Sequence, residues 1–193
     1  GCDVAVLNYH LAPEPKFPSY VTDLAVALNY LEQQQAKLGI STENIALMGH
    51  SAGAFNIASL LYHPQHYDLT IKQNIKALIG IAGPYHFDYK GDPLAEHAFE
   101  HDVPFDQVMP YYFVKNNSVK HYLFLAENDQ IVKDKNSLDF KLQLEQQGNH
   151  CEIRVIPKTG HISIMGSVSS LFSRFFKTRS EIIEILDHIF KNT

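Results

Sequence analysis

Ile45-Ala46-Leu47-Met48-Gly49-His50-Ser51-Ala52-Gly53-Ala54 constrains this chain more than any other stretch. An apolar run ends in Gly-His-Ser-Ala-Gly and passes directly into small, helix-compatible residues. This is the Gly-x-Ser-x-Gly nucleophile elbow in the context it requires, a strand, a sharp turn and a helix. Ser51 has to occupy a strained turn so that its hydroxyl stands clear of the backbone. Gly49 and Gly53 are expected to let strand and helix approach each other. Ala52 follows the nucleophile, where its N–H can point at a developing oxyanion.

The flanking sequence sets the fold class. Val4 to Tyr9 is an apolar run suited to a strand buried on both faces of a parallel sheet. Three prolines in His10-Leu11-Ala12-Pro13-Glu14-Pro15-Lys16-Phe17-Pro18 make the next segment a rigid loop. A helix is predicted from about Ser19 to Leu38, with Val21, Leu24, Ala25, Leu28 and Leu31 on one face and Gly39 as its stop. Glu43–Gly49 is the strand that feeds the elbow, and Ala52–Tyr62 is the helix that leaves it, ended by Pro64. Further strands are predicted at Ile75–Ala82, His121–Ala126 and Cys151–Ile156. An amphipathic helix is predicted at Asp134–Gln147 with Leu138, Leu142 and Leu144 inward. Two helical segments, Ile162–Phe176 and Arg179–Lys191, finish the chain. Strands alternating with helices give an α/β fold, a three-layer sandwich with a mostly parallel sheet. The 193 residues suffice for a single domain, residues 1–193. The irregular stretch from about 85 to 117 reads as an active-site insertion or partial lid, or equally as an excursion tucked against the core.

A serine nucleophile needs a base, and the base needs an orienting group. In an open parallel sheet both belong on loops at the carboxyl ends of strands. Asp129 follows the strand ending at Ala126, and His161 follows the strand ending at Ile156. The order Ser51, Asp129, His161 is that of the α/β-hydrolase arrangement. Glu127 and Asp134 are the competing acids. Glu127 lies close to the strand end, and Asp134 has the position of a helix cap or first-turn charge. His50 adjoins the nucleophile; packing or hydrogen bonding is its favoured role, and it also counts among candidate substrate-pocket residues with Tyr85, His86, Ile131 and Ile162. His97 and His101 would share a helix face and could bind zinc, but no further ligand is evident, so no metal and no cofactor are expected.

Composition narrows the partners. The net charge is −5 and the basic residues are scattered. No Lys/Arg block suggests nucleic acid or an anionic membrane. No run approaches the length of a membrane span, and no signal peptide is visible. Cys2 and Cys151 read as two idle thiols in a reducing, cytoplasmic compartment, with their pairing left open. A small ester or amide is the expected partner, and a homo-oligomer is left open.

Gly49–Gly53, together with Tyr9-His10-Leu11-Ala12-Pro13-Glu14, resembles the α/β-hydrolases of the hormone-sensitive-lipase-like esterase group and the related kynurenine formamidases. Phe17-Pro18, Asp23, Glu127–Val132 and Gly160–Ser163 look like the family's pattern, with His10 where the family usually has Arg. The resemblance implies a serine hydrolase of carboxylic esters or of an aryl formamide, and supports Asp129 as the acid. The family also carries a His-Gly-Gly loop that completes the oxyanion hole, and this chain has no Gly-Gly pair. It lacks the family's first three strands, the third of which lies between Val4–Tyr9 and Ile45–Met48. The expectation is a C-terminal piece of a longer hydrolase, a truncated relic, or a sheet that is rearranged or completed by a second chain.

Overall fold

A computed structural model describes every residue except Gly1, His66, Phe172, Asn192 and Thr193. Four strands form one parallel sheet: β1 (Ile45–His50), β2 (Ile75–Ile81), β3 (Lys120–Ala126) and β4 (Cys151–Ile156), in the order β1-β2-β3-β4. Five helices accompany them: α1 (Ser19–Leu38), α2 (Ala52–Tyr62), α3 (Lys135–Gln146), α4 (His161–Gly166) and α5 (Thr178–Lys191). Alternation along each strand sorts the helices into two layers. Leu78, Leu123 and Leu125 face a core shared with α1, α2 and α3. Ala77, Ile79, Ile81, Tyr122 and Phe124 face a second core with α4 and α5. The predicted three-layer α/β architecture is therefore present, and α1 ends as expected at Gly39, which adopts φ 67° and returns its N–H to the Gln35 carbonyl.

Three predicted elements differ. Val4–Tyr9 forms no regular element and makes no strand ladder among the described residues. Leu7 and Tyr9 pack against the core, while Val4 and Val6 are 78% and 89% exposed. Among the described residues β1 pairs only with β2. The apolar run has strand composition, but among the described residues no strand pairs with its backbone; His10 instead clips it to α1, its backbone N–H and ring Nδ1 both 2.9 Å from Asp23 Oδ2. In α3 the inward residues are Asn136, Ser137, Phe140 and Leu144, and Leu138 and Leu142 are exposed. Both pairs have helical spacing; Phe140 wins because its ring stacks on Tyr85, centroids 4.5 Å apart, and meets Tyr62 edge-on. The helix expected over Ile162–Phe176 stops at Gly166 and continues as turns; Phe172 lies outside the described residues.

The segment 85–117 is mostly irregular with three short 3-10 turns. It is anchored rather than loose. Phe17 N–H and Tyr20 O–H both donate to the Ala98 carbonyl. Phe99 packs among Phe17, Phe55 and Tyr89. His97 and His101 do not share a helix, since only Glu96–Ala98 forms a turn of 3-10 geometry. Among the described residues no three His, Cys, Asp or Glu side chains gather as metal ligands, and no helix is long and apolar enough to cross a membrane. Cys2 is exposed and Cys151 buried, both as free thiols, and burial pushes the Cys151 thiol up to about 12.

His121 carries a pH dependence of stability. It is fully buried; its Nδ1 donates to the His150 carbonyl at 3.0 Å and its Nε2 accepts the Tyr62 hydroxyl at 2.6 Å. Burial of the charged form lowers its pKa to about 4. The unfolded chain takes up this proton near pH 6.5. The stabilising contribution is thus complete above about pH 6.5 and is lost as pH falls toward 4, on the order of 3 kcal/mol in all. Urea midpoints should fall over that window, with a shallower slope in His121→Gln; an equal slope would assign the loss to other groups.

Candidate active site

Strand β1 ends at His50 and α2 begins at Ala52, which leaves Ser51 alone to make the turn. Its backbone sits at φ 52°, ψ −121°, a conformation that a non-glycine residue adopts at a cost of about 1–3 kcal/mol. Ser51 N–H donates to the Ile81 carbonyl at 2.9 Å, which ties the elbow to the end of β2. The close approach of strand and helix is made at Gly49: a Cβ there would clash with the Gly53 carbonyl group and lie 2.7 Å from Ala54 N. A Cβ on Gly53 would meet nothing within 4 Å. The expectation that both glycines leave room is thus met only by Gly49. Gly49→Ala should lower the melting temperature sharply or abolish soluble expression. Gly53→Ala should leave it unchanged or raise it, since Ala is favoured over Gly in a helix by about 1 kcal/mol. Equal melting temperatures for the two variants would contradict the contact.

The acid loop and the histidine loop are stitched together. Asn128 N–H donates to the Thr159 carbonyl at 2.8 Å, and Lys158 N–H donates to Glu127 Oε2 at 2.8 Å. Glu127 is therefore occupied by a backbone amide. Asp134 stands at the start of α3 and makes no side-chain cap. Asp129 is the acid that meets the histidine: its Oδ2 accepts His161 Nδ1 at 2.8 Å. Its Oδ1 accepts the N–H groups of Ile131 and Val132, each at 2.9 Å. That Asx turn orients the carboxylate before any substrate is involved. Sequence reasoning placed Ile131 in a pocket and missed the work of its amide; an Asp two residues upstream was the available signal.

His161 is the first residue of α4. Ser163 Oγ accepts the Gly160 N–H at 2.8 Å and so fixes the loop entering the helix. His161 Nε2 lies 2.8 Å from Ser51 Oγ. The Asp129 and His161 side chains are 2% and 8% exposed, so the polar chain Ser51–His161–Asp129 runs through a largely desolvated environment at its base. With Nδ1–H given to the carboxylate, Nε2 is free to accept the serine proton. Ala52 is exposed in the first turn of α2, where backbone N–H groups have no intrahelical partner.

The other candidate pocket residues divide. Ile131 and Ile162 are exposed beside Asp129 and His161. Tyr85 is not a pocket residue: it is fully buried in the core and lies against Gly80 and Gly83, where a side chain would clash with its ring. The break after Gly83-Pro84 turned it inward, which an aromatic-rich loop sequence does not reveal. His86 is bound into the α3 side of the segment, with Nδ1 2.6 Å from Asp139 Oδ2, Nε2 3.0 Å from the Tyr112 hydroxyl and its ring stacked on Tyr111. His50 donates from Nε2 to the His161 backbone carbonyl at 2.8 Å.

A parallel sheet with helices on both faces, an elbow after β1, and acid and histidine loops after β3 and β4 define the α/β-hydrolase fold. The chain belongs to the BD-FAE family, whose model matches residues 1–144. Solved structures agree on the fold. An acetyl ester-xyloside bifunctional hydrolase from Caldicellulosiruptor lactoaceticus is 19% identical with a TM-score of 0.73, covering 94% of this chain and 71% of its own. Esterase 2 of Thermogutta terrifontis, phosphoramylated by tabun, is 22% identical with a TM-score of 0.73, covering 94% and 69%. A truncated carbohydrate esterase from gut microbiota is 16% identical with a TM-score of 0.68, covering 86% and 68%.

Proposed function

We propose that this chain is a serine esterase that cleaves carboxylic esters of small acyl or aromatic substrates through an acyl-enzyme. The observation that carries the reading is the continuous hydrogen-bonded chain from Ser51 Oγ through His161 to Asp129, two contacts of 2.8 Å. Membership of the BD-FAE family and the fold of esterases support it.

His161 takes the Ser51 proton as Oγ attacks the ester carbonyl, and returns it to the departing alkoxide. Asp129 holds the Nδ1–H tautomer and stabilises the imidazolium. The Ala52 N–H, at the positive end of α2, donates to the tetrahedral oxyanion. Water then repeats the sequence with the acyl-enzyme. One such donor is typically worth about 10²–10³-fold in rate, which sets the scale of the Ala52 contribution. Exposed Ile131 and Ile162 offer apolar surface to the acyl or alcohol group.

Hydrolysis of p-nitrophenyl acetate and of N-formylkynurenine, each with wild type and Ser51→Ala, tests the proposal and separates ester from formamide preference. Ester turnover lost in Ser51→Ala supports it. Formamide turnover alone would replace the esterase by an arylformamidase that uses the same three residues. Turnover of neither by folded protein would leave a catalytically impaired hydrolase domain.

A further inference from the structure

We propose that His50 is a positioning residue for the reaction, its ring N–H holding the backbone of the histidine loop against the nucleophile elbow. The proposal rests on the serine-esterase reading and adds a residue to it. His50 is the last residue of β1, immediately before Ser51, and its Nε2 lies 2.8 Å from the His161 carbonyl oxygen. A carbonyl only accepts, so Nε2 carries the proton and donates. The two rings lie 4.8 Å apart at 41°. Three groups thus locate His161: Asp129 on Nδ1, Ser51 on Nε2 and His50 on the main chain.

The three differ in what happens to them during turnover. The Ser51 hydroxyl loses its proton to Nε2 and then carries the acyl group, so its bond to His161 is consumed in the first half-reaction. The His50 bond goes to a backbone oxygen, which neither gains nor loses a proton. While the acyl-enzyme waits for water, Asp129 and His50 are the groups that keep His161 over the acyl carbon. Because His50 is rigidly joined to Ser51 through one peptide bond, its contact transmits the elbow's position to the base even when Oγ is acylated.

The location also requires a neutral ring. The titratable groups facing His50 are His161 and Asp129. Burial lowers the proton affinity of His50 and outweighs the opposing hydrogen bond to the His161 carbonyl; the charge of His161 lowers it a little further, and Asp129 raises it least. A neutral donor adds no repulsion when His161 becomes an imidazolium 4.8 Å away.

The test compares His50→Phe and His50→Leu, which lack the donor, with His50→Gln, whose amide N–H can reach the same carbonyl. Phe keeps a ring beside His161, so its loss is attributable to the donor rather than to packing, and Leu serves if Phe is poorly folded. The expected result is a drop in kcat of roughly 10–100-fold in Phe and Leu with KM changed by less than about 3-fold, and recovery in Gln to within about 5-fold of wild type. Undiminished kcat in Phe, or equal loss in Phe and Gln, would overturn the proposal. Solvent exchange of the His161 Nδ1 proton, followed by NMR, gives a readout independent of turnover. It should be faster in Phe than in wild type and restored in Gln; unchanged exchange would overturn the positioning role. If wild type neither hydrolyses esters nor labels at Ser51, the esterase reading fails by itself, and the exchange measurement still decides whether His50 holds His161.

Discussion

Ser51→Ala and His161→Ala are each expected to lower kcat for p-nitrophenyl acetate by at least about 10³-fold, and the double variant to be no slower than either single one. The non-additivity is the informative part. Ser51 and His161 act through one proton transfer, so once either is removed the other has nothing to do. The residual rate would come from binding and from the Ala52 N–H alone. Both variants should fold. Ser51 keeps its backbone bond to Ile81, and in His161→Ala the stitches between Asn128 and Thr159 and between Glu127 and Lys158 remain. Thermal melts beside the kinetics check this, and additive losses in the double variant would mean that the two residues act in separate steps.

Asp129→Asn is expected to cost about 10⁴-fold in kcat with little change in melting temperature. The reason lies in the split between the two carboxylate oxygens. Oδ1 accepts the Ile131 and Val132 amides, and an asparagine carbonyl can keep both bonds. Oδ2 accepts His161 Nδ1, and the asparagine nitrogen placed there is a donor. His161 must then present a bare Nδ1 and protonate Nε2, the tautomer that cannot take the Ser51 proton. A Glu127→Gln variant serves as the contrast. Its carbonyl can still accept the Lys158 amide, so activity should stay within a few-fold of wild type. If Glu127→Gln fell as far as Asp129→Asn, the choice between the two acids would be wrong.

The candidate site was legible in the sequence because each of its members follows a strand. Ser51, Asp129 and His161 lie just beyond β1, β3 and β4, and parallel strands deliver their carboxyl ends to one edge of the sheet. The apolar runs of β2, β3 and β4 were long enough to be read with their bounds nearly right. What failed were features decided by neighbours in space. Val4–Tyr9 has the composition of a buried strand, but composition does not supply a pairing partner. Leu138 and Leu142 have the same spacing as Phe140 and Leu144, and only the Tyr85 ring, waiting across the core, chooses between the two faces. Tyr85 itself looked like a pocket residue because it opens an aromatic loop. Its true role depends on Gly80 and Gly83, bare backbone against which a ring can lie. The His50 bond to the His161 carbonyl spans 111 positions and leaves no trace in sequence spacing.

Covalent labelling reads out directly whether Ser51 is an activated nucleophile. Folded wild-type protein treated with a fluorophosphonate should carry a single adduct, located by peptide mass spectrometry on Ser51, formed slowly or not at all in His161→Ala and never in Ser51→Ala. Well-folded wild type that acquires no adduct on Ser51, or one equally fast in His161→Ala, would contradict an activated nucleophile at this elbow.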